Sequence, residues 1–310
     1  MTQIQIGDIG YDRRPMKTGE DQLPGNTIGW RTALFTALAL VAFAANSLFN
    51  RAAFASSGID AGSFAVIRLA SGALALAAIS ILRGSGRASL RGGSWLAAAM
   101  LFAYATAFSY AYISLSVGTG ALILFAAVQI TMLLAALSLG EKLSAPQWGG
   151  LALALIGVAV LLSPGVTAPS PAAAALMAIA GAAWGIYSLL GRQSISPLTD
   201  TAANFVRSLP FVALLGLAVG SRAHLTPTGI TYALLSGVVA SGMGYSIWYT
   251  ALRGLTAAQA AIVQLLVPVL ASVAGVLLLR EAVTGRLSIS TAMILGGVFL
   301  AIAPRTQRRG

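Results

Sequence analysis

Residues 30 to 304 read as ten apolar segments, and the second five echo the first five at a spacing of about 140 residues. Particular residues carry the echo. Leu139-Gly140-Glu141 falls in register with Leu279-Arg280-Glu281, Gly157 with Gly297, and Pro164 with Pro304. If each segment crosses a bilayer, a unit of five must enter from opposite faces in its two copies. The sequence therefore predicts an all-α membrane protein of ten transmembrane helices, arranged as two inverted five-helix repeats around a central cavity. That plan recurs among secondary transporters, which hold their substrate at mid-bilayer between the halves.

Composition requires a lipid solvent. The chain is 57% apolar and 9% charged, with a mean hydropathy of +0.85. A soluble protein of 310 residues could not bury so much apolar area in one core, and its surface would aggregate. The predicted spans are 30–50, 61–82, 93–113, 117–139, 147–163, 172–190, 201–220, 229–251, 257–279 and 287–303, each near the length an apolar helix needs to cross. Between them stand helix-ending sequences such as Arg83-Gly84-Ser85-Gly86-Arg87, Ser163-Pro164-Gly165, Ser196-Pro197 and Thr226-Pro227. The expected domains are a polar, disordered cytoplasmic tail (1–29), a first repeat (30–165), a second repeat (166–304) and a short cytoplasmic tail (305–310). The first segment is too long for the apolar core of a cleavable signal and ends at Arg51, so it is expected to stay as a span.

The formal charge of +11 would suggest nucleic acid in a soluble protein, but topology accounts for it here. With the N-terminus inside, the cytoplasmic loops and tails hold Arg13, Arg14, Lys17, Arg31, Arg83, Arg87, Arg91, Lys142, Arg192, Arg253, Arg305, Arg308 and Arg309. The outside holds only Arg51, Arg222, Arg280 and Arg286. The bias is the positive-inside pattern of a multi-pass protein of the cell membrane (the inner membrane in a Gram-negative cell), with both termini cytoplasmic. The expected partners are a small-molecule substrate and the lipid bilayer, without nucleic acid, and a monomer is the expected state.

Polar and aromatic residues fall in stripes. Phe43, Asn46 and Asn50 share one face of the first span, and the sixth answers with Trp184, Tyr187, Ser188 and Gly191. Tyr104, Phe108 and Tyr112 line the third span; Ser241, Tyr245 and Tyr249, with Trp248 beside them, line the eighth. The fourth and ninth offer Phe125 with Gln129, and Gln264 with Pro268. Amides and hydroxyls in such faces can hydrogen-bond an ammonium or carboxylate, and rings can hold an apolar side chain or a cation. For any single residue, helix packing or interfacial anchoring is an equal reading; the pairing across repeats favours cavity lining for the set. Glycines such as Gly118, Gly120, Gly242 and Gly244 predict close helix contacts. Pro268 removes a backbone donor and frees the Gln264 carbonyl, which predicts a hinge, gate or static bend in the ninth span.

Two arginines, Arg68 and Arg207, sit roughly 10 Å deep by helical rise. Recognition of a substrate carboxylate is one reading. Their mirrored placement suits a bracing role better. Glu141 and Glu281, in the turns before the fifth and tenth spans, are expected to cap the following helix or pair with Lys142, Arg280 or Arg286, with a gate ion pair as the lesser alternative. No Asp or Glu lies within a span, so no proton-carrying carboxylate is offered, and uncoupled facilitated transport is expected. There is no cysteine, one histidine (His224), and no phosphate-binding, metal-ligand or nucleophile motif. No catalytic residue, metal or cofactor is expected.

The stretch Tyr249-Thr250-Ala251-Leu252, then Pro268, Leu279-Arg280-Glu281 and Gly296-Gly297, resembles the drug/metabolite transporter superfamily, specifically its EamA-type ten-helix exporters. The first half keeps Tyr112-Ile113-Ser114-Leu115 and Gly140-Glu141 but has Val128 or Gln129 where the proline would fall. The chain is similar to the amino-acid exporters of that superfamily, including the aromatic amino-acid group. The resemblance implies ten helices around a central cavity, the fifth and tenth bracing the back and the others facing the substrate, and export from cytoplasm to exterior. Alternating access between the two inverted halves is the expected mechanism. Amino acids, aromatic or apolar ones among them, are the implied substrates. Drugs or other metabolites on the same fold are the alternative, and a membrane enzyme or scaffold is the alternative of another class.

Overall fold

The computed structural model describes residues 29–55, 58–84, 92–138, 145–163, 168–191, 194–255, 260 and 263–302. The expectations placed on the two tails, on Gly140, Glu141 and Lys142, and on Pro164 and Pro304 lie outside the described residues.

Ten helices are described, and no strand longer than an isolated bridge. They are α1 (Trp30–Ala55), α2 (Ala61–Leu82), α3 (Trp95–Ala111), α4 (Val117–Ser138), α5 (Ala145–Leu162), α6 (Pro171–Gly191), α7 (Pro197–Val219), α8 (Pro227–Leu252), α9 (Leu266–Leu279) and α10 (Gly285–Ile302). Lipid offers no hydrogen bonds to a backbone, so each crossing segment must satisfy its own amides, and the helix does so. Asp60, Ser94 and Thr226 cap the starts of α2, α3 and α8 by accepting from the amides of Ser63, Ala97 and Gly229. Prolines open α6, α7 and α8, where their missing N–H leaves no bond unmade. Arg280 ends α9 in the left-handed conformation, at φ 54°.

Six of these helices are long and apolar enough to cross a membrane, and α3, α9 and most of α5 form shorter apolar helices. The ninth segment departs from expectation. Val263 and Gln264 are helical, Leu265 is a turn, and α9 proper begins at Leu266. Pro268 thus sits in the first turn of α9, where proline is tolerated, and the interruption of the regular helix falls at Leu265. The proline inside a long helix is Pro210 of α7. α7 also starts earlier than expected, which places Asp200 on its first turn and not in a loop.

Exchanging each helix for the one five later nearly reproduces the packing. α1 packs on α8 and α9 as α6 packs on α3 and α4; α2 packs on α8 as α7 packs on α3; α2 with α7, α4 with α9, and α5 with α10 pair on the axis. Small residues set these distances. A methyl on Gly157 would press on Met293 and Ile294, and one on Gly297 on the backbone of Gly150 and Ala154, so the repeat-matched glycines bring α5 and α10 into backbone contact. Leu74, Leu217 and Leu277 point outward, more than two-thirds exposed, where lipid covers them.

α8 changes pitch in its middle: Leu235–Met243 is π-helical. Gly237 lies there against the Arg68 carbonyl and Ser71 Oγ, with no room for a side chain. The wider turn makes residues five apart neighbours, so Ser236 and Ser241 both face inward. They are fully buried, as is Tyr245 after them.

A buried aromatic and polar cluster as the candidate functional site

The site is built where α1, α2, α3, α6 and α8 meet. α1 supplies Phe43, Asn46 and Asn50, all buried. Asn46 Nδ2 donates to the Tyr104 hydroxyl (3.1 Å) and to the Tyr245 hydroxyl (3.4 Å), joining α1 to α3 and α8. Asn46 Oδ1 accepts from Ser236 Oγ at 2.5 Å, and Asn50 Oδ1 from Ser109 Oγ at 3.0 Å. Each amide thereby meets a partner away from water, as burial demands.

Arg68 enters this network from α2. Its side chain is fully buried, Nε donates to Ser241 Oγ (3.0 Å), and Nη2 donates to the hydroxyls of Tyr104 (3.1 Å) and Tyr245 (2.8 Å). Cζ stands 5.1 Å from the Tyr104 ring centre and 5.2 Å from that of Phe108. Arg207 is placed differently: it is half-buried and donates to the Gly92 carbonyl at the start of α3. The arginines expected to mirror one another do not. One occupies the core of the cluster and the other ties down a loop.

Rings fill the rest. Trp184 packs against Tyr245, Tyr104, Phe43 and Tyr187 at centroid distances of 4.6, 5.0, 5.5 and 5.5 Å. Phe43 also meets Trp248 at 5.6 Å, and Phe108 meets Tyr112 at 4.7 Å. The gap left among Phe43, Ser47, Tyr104, Phe108, Leu124, Phe125 and Trp184 is about 10 Å³. That is room for about one water. The expected cavity is thus collapsed onto its own lining in this conformation.

The predicted residues divide by position. Phe43, Asn46, Tyr104, Phe108, Trp184, Tyr187, Ser241, Tyr245 and Trp248 converge on the cluster, and Asn50 joins it through Ser109 and Ser236. Tyr112 and Tyr249 lie toward its ends, with hydroxyls donating to the Val117 and Tyr187 carbonyls at 3.3 Å each. Gln264 donates to the Ala260 carbonyl one turn back (3.1 Å). Gln129, Ser188 and Pro268 are buried on α4, α6 and α9. Ser47, Ser109 and Ser236 also belong to the cluster and lie outside the sequence stripes. Ser109 sits one position off the third-span stripe, and Ser236 is five residues before Ser241, invisible to a 3.6-residue period.

Clasps join the helices at both ends of the cluster. At one end Arg51 Nε lies 3.5 Å from Glu281 Oε1, Arg51 Nη1 donates to the Ile113 carbonyl (3.1 Å), and both Glu281 oxygens accept the Val117 amide (3.1 and 2.9 Å). Glu281 therefore caps α4 and pairs with α1. The expected cap on the following helix and the pairing with Arg280 or Arg286 are corrected, because the turn after α9 lies beside the start of α4. Arg286 donates instead to the Ser163 carbonyl (2.5 Å). Burial pushes the Glu281 carboxyl above its ordinary value, against the lowering pull of the Val117 amide and Arg51. At this same end Asp60 accepts from the His224 amide (2.9 Å). At the other end Asp200 accepts from the Gly93 amide (3.2 Å) and Asn204 from the Ser94 amide (3.0 Å). Beside them opens a pocket of about 240 Å³ whose lining includes Ser194, Asp200, Asn204 and Tyr249.

Comparison with known proteins agrees with this architecture. The EamA-like transporter family matches twice, over residues 30–163 and 171–303. An uncharacterized protein of Pseudomonas aeruginosa is 53% identical over 90% of this chain and 96% of its own length. A probable amino-acid metabolite efflux pump of Escherichia coli is 29% identical over 60% of this chain and 67% of its own, and one of Salmonella typhimurium is 29% identical over 62% and 69%. A solved crystal structure superposes with a TM-score of 0.62 at 22% identity, covering 88% of this chain and 99% of that one, and shows the same fold.

Proposed function

The chain belongs to the EamA-like transporter family, and on that premise we propose that it exports amino acids, aromatic and other apolar ones among them, and similar small metabolites. The observation that carries this reading is the convergence of stripes from opposite halves on one buried cluster of rings, amides and a guanidinium. Rings suit an apolar side chain; the polar groups suit the charged end of an amphipathic solute. The two efflux pumps named above point the same way. Export of drugs or other metabolites is the second reading, since the same cluster would hold any small amphipathic molecule.

The mechanism is alternating access. The collapsed centre is the occluded stage, and the clasps at the two ends open in turn. The bias of basic residues favours the Asp200 end as cytoplasmic and the Arg51 end as exterior, with both termini in the cytoplasm. The pocket above Tyr249 is then the cytoplasmic vestibule through which solute loads. The protein works as a monomer and as a facilitator: among the described residues the carboxylates Asp60, Asp200 and Glu281 all stand at helix ends, and none lies in the middle of a span to carry a proton.

Proteoliposomes holding only this protein and loaded with radiolabelled phenylalanine, leucine and a polar control test the proposal. Phenylalanine and leucine are expected to leave faster than from protein-free vesicles. Efflux at the protein-free rate for every amino acid tried would remove the amino-acid reading. Accumulation against the solute gradient, driven by an imposed pH gradient, would remove the facilitator.

A further inference from the structure

We propose that Arg68 is the receptor for a carboxylate on the transported solute, so that the site selects carboxylates joined to an apolar or aromatic body. This rests on the central cluster being the transport site.

The argument begins with charge. A guanidinium carries five donors and keeps its proton in proteins. Arg68 is fully buried, and its described partners are the neutral hydroxyls of Ser241, Tyr104 and Tyr245. The described acids, Asp60, Asp200 and Glu281, all lie at helix ends in the clasps or caps already described. Nη1 is enclosed, and among the described residues nothing accepts from it. A buried cation without a counter-charge is strongly unfavourable and is retained where something else supplies the anion. A bracing arginine looks like Arg207, which lies at the bundle's edge and bonds a loop carbonyl.

The surroundings name the anion's chemistry. A carboxylate pairs with a guanidinium through charge-assisted hydrogen bonds, and Nη1 has a proton for one of its oxygens. The second bond of a fork would come from Nη2, which would release one of its two tyrosine hydroxyls. The rings of Tyr104 and Phe108, over which the guanidinium sits, also line the central gap with Phe43, Leu124, Phe125 and Trp184. A solute whose carboxylate reaches Arg68 would lay the rest of its body among those side chains. No carboxylate of the described chain stands ready for an ammonium, so the site should demand the acid and tolerate loss of the amine.

The test is ligand binding to the full chain in nanodiscs, read by the fluorescence of Trp184 and Trp248, which flank the cluster. The probes are 3-phenylpropionate and 2-phenylethylamine, which keep the ring and differ in charge. The wild type is expected to bind the carboxylate at least tenfold more tightly than the amine. Arg68→Gln should lose at least tenfold in carboxylate affinity without weakening the amine, and Arg68→Lys should keep part of the preference. Equal affinities in the wild type, no saturable carboxylate binding, or a preference that survives in folded Arg68→Gln would each overturn the assignment. If Arg68→Gln does not fold, the wild-type comparison and Arg68→Lys still decide. Selective binding without flux in proteoliposomes would strike the export reading and leave Arg68 as the receptor; phenylalanine flux without carboxylate preference would do the reverse.

Discussion

Asp60 and Asp200 stand one repeat length apart and do the same work at opposite ends of the bundle. Asp60 accepts the His224 amide at the foot of α8 (2.9 Å), and Asp200 accepts the Gly93 amide at the foot of α3 (3.2 Å). Each carboxylate at the head of a helix in one half thus holds the loop that enters the other half. In the proposed alternating-access cycle, opening of either end would release the corresponding bond.

Asp60 caps α2 through the Ser63 amide, and losing such a cap costs about 0.5–2 kcal/mol. Asp200 caps no helix and instead holds the Gly93 amide and the Ser194 hydroxyl, so its loss releases a loop. Asp60→Ala and Asp200→Ala should each lower the melting temperature of the purified protein, and each should raise thiol labelling at its own end only. Burial pushes the Asp60 carboxyl up, but the bonds from Ser63 and the His224 amide outweigh it and hold the group below its ordinary value. Its contribution to stability is therefore present above the ordinary carboxylate pKa and lost as pH falls through the lowered one. The Asp60→Ala melting curve should converge with the wild-type curve in strong acid.

Glu281 responds to pH in the other sense. Its raised value means that the folded protein holds the proton more tightly than the unfolded chain does. Its ionisation is thus a cost to folding above the raised pKa, and that cost fades as pH falls toward the ordinary glutamate value. Protonation also removes the charge that holds Arg51. In the cysteine-free chain, Ser116→Cys labelling, taken relative to a free thiol at the same pH because the thiolate is the reacting form, should accelerate on mild acidification, and with Glu281→Gln this ratio should be high at every pH. A flat profile in the Glu281-containing protein would show that the ion pair does not latch this end.

Gly237 sits where α8 touches α2, against the Arg68 carbonyl and Ser71 Oγ. Gly237→Ala should push the helices apart and sharply reduce the yield of folded protein. Gly216→Ala, whose added methyl comes no closer than 3.9 Å to Val66, should behave as wild type in the same size-exclusion and melting assays.

Ser236 supplies the proton that Asn46 Oδ1 accepts. Ser236→Ala leaves that buried oxygen unsatisfied and should destabilise the protein by about 1–3 kcal/mol. The measurement is equilibrium unfolding in a mixed-micelle denaturant series. Asn46→Ala combined with Ser236→Ala should lose less than the two single losses summed, because the partners share one bond.

Alternation of the closed centre can be read with thiols. Single cysteines at Asn46, Phe108, Ser188 and Tyr245 replace residues that are buried in this conformation. They should be nearly inert in the resting protein and should react when phenylalanine is being carried. Ser194→Cys, beside the vestibule, should react from the cytoplasmic face throughout.

The linear chain determined the ten segments, their repetition and the pairing of stripes, because lipid permits an apolar segment little besides a helix and duplication brings near-symmetry with it. Phe43, Asn46, Tyr104, Trp184 and Tyr245 could be chosen from spacing alone because α-helical periodicity holds where they sit. Ser236 could not, because the π-helical pitch of α8 realigns its face. Arg68 and Arg207 looked alike in sequence, each an arginine a few turns inside a span. Which one faces a core of hydroxyls and rings, and which one a loop carbonyl, depends on where α3 and α8 lie against α2 and α7. Glu281 likewise found Arg51 and the Val117 amide, far away along the chain, because a charge chooses its partner by proximity in space.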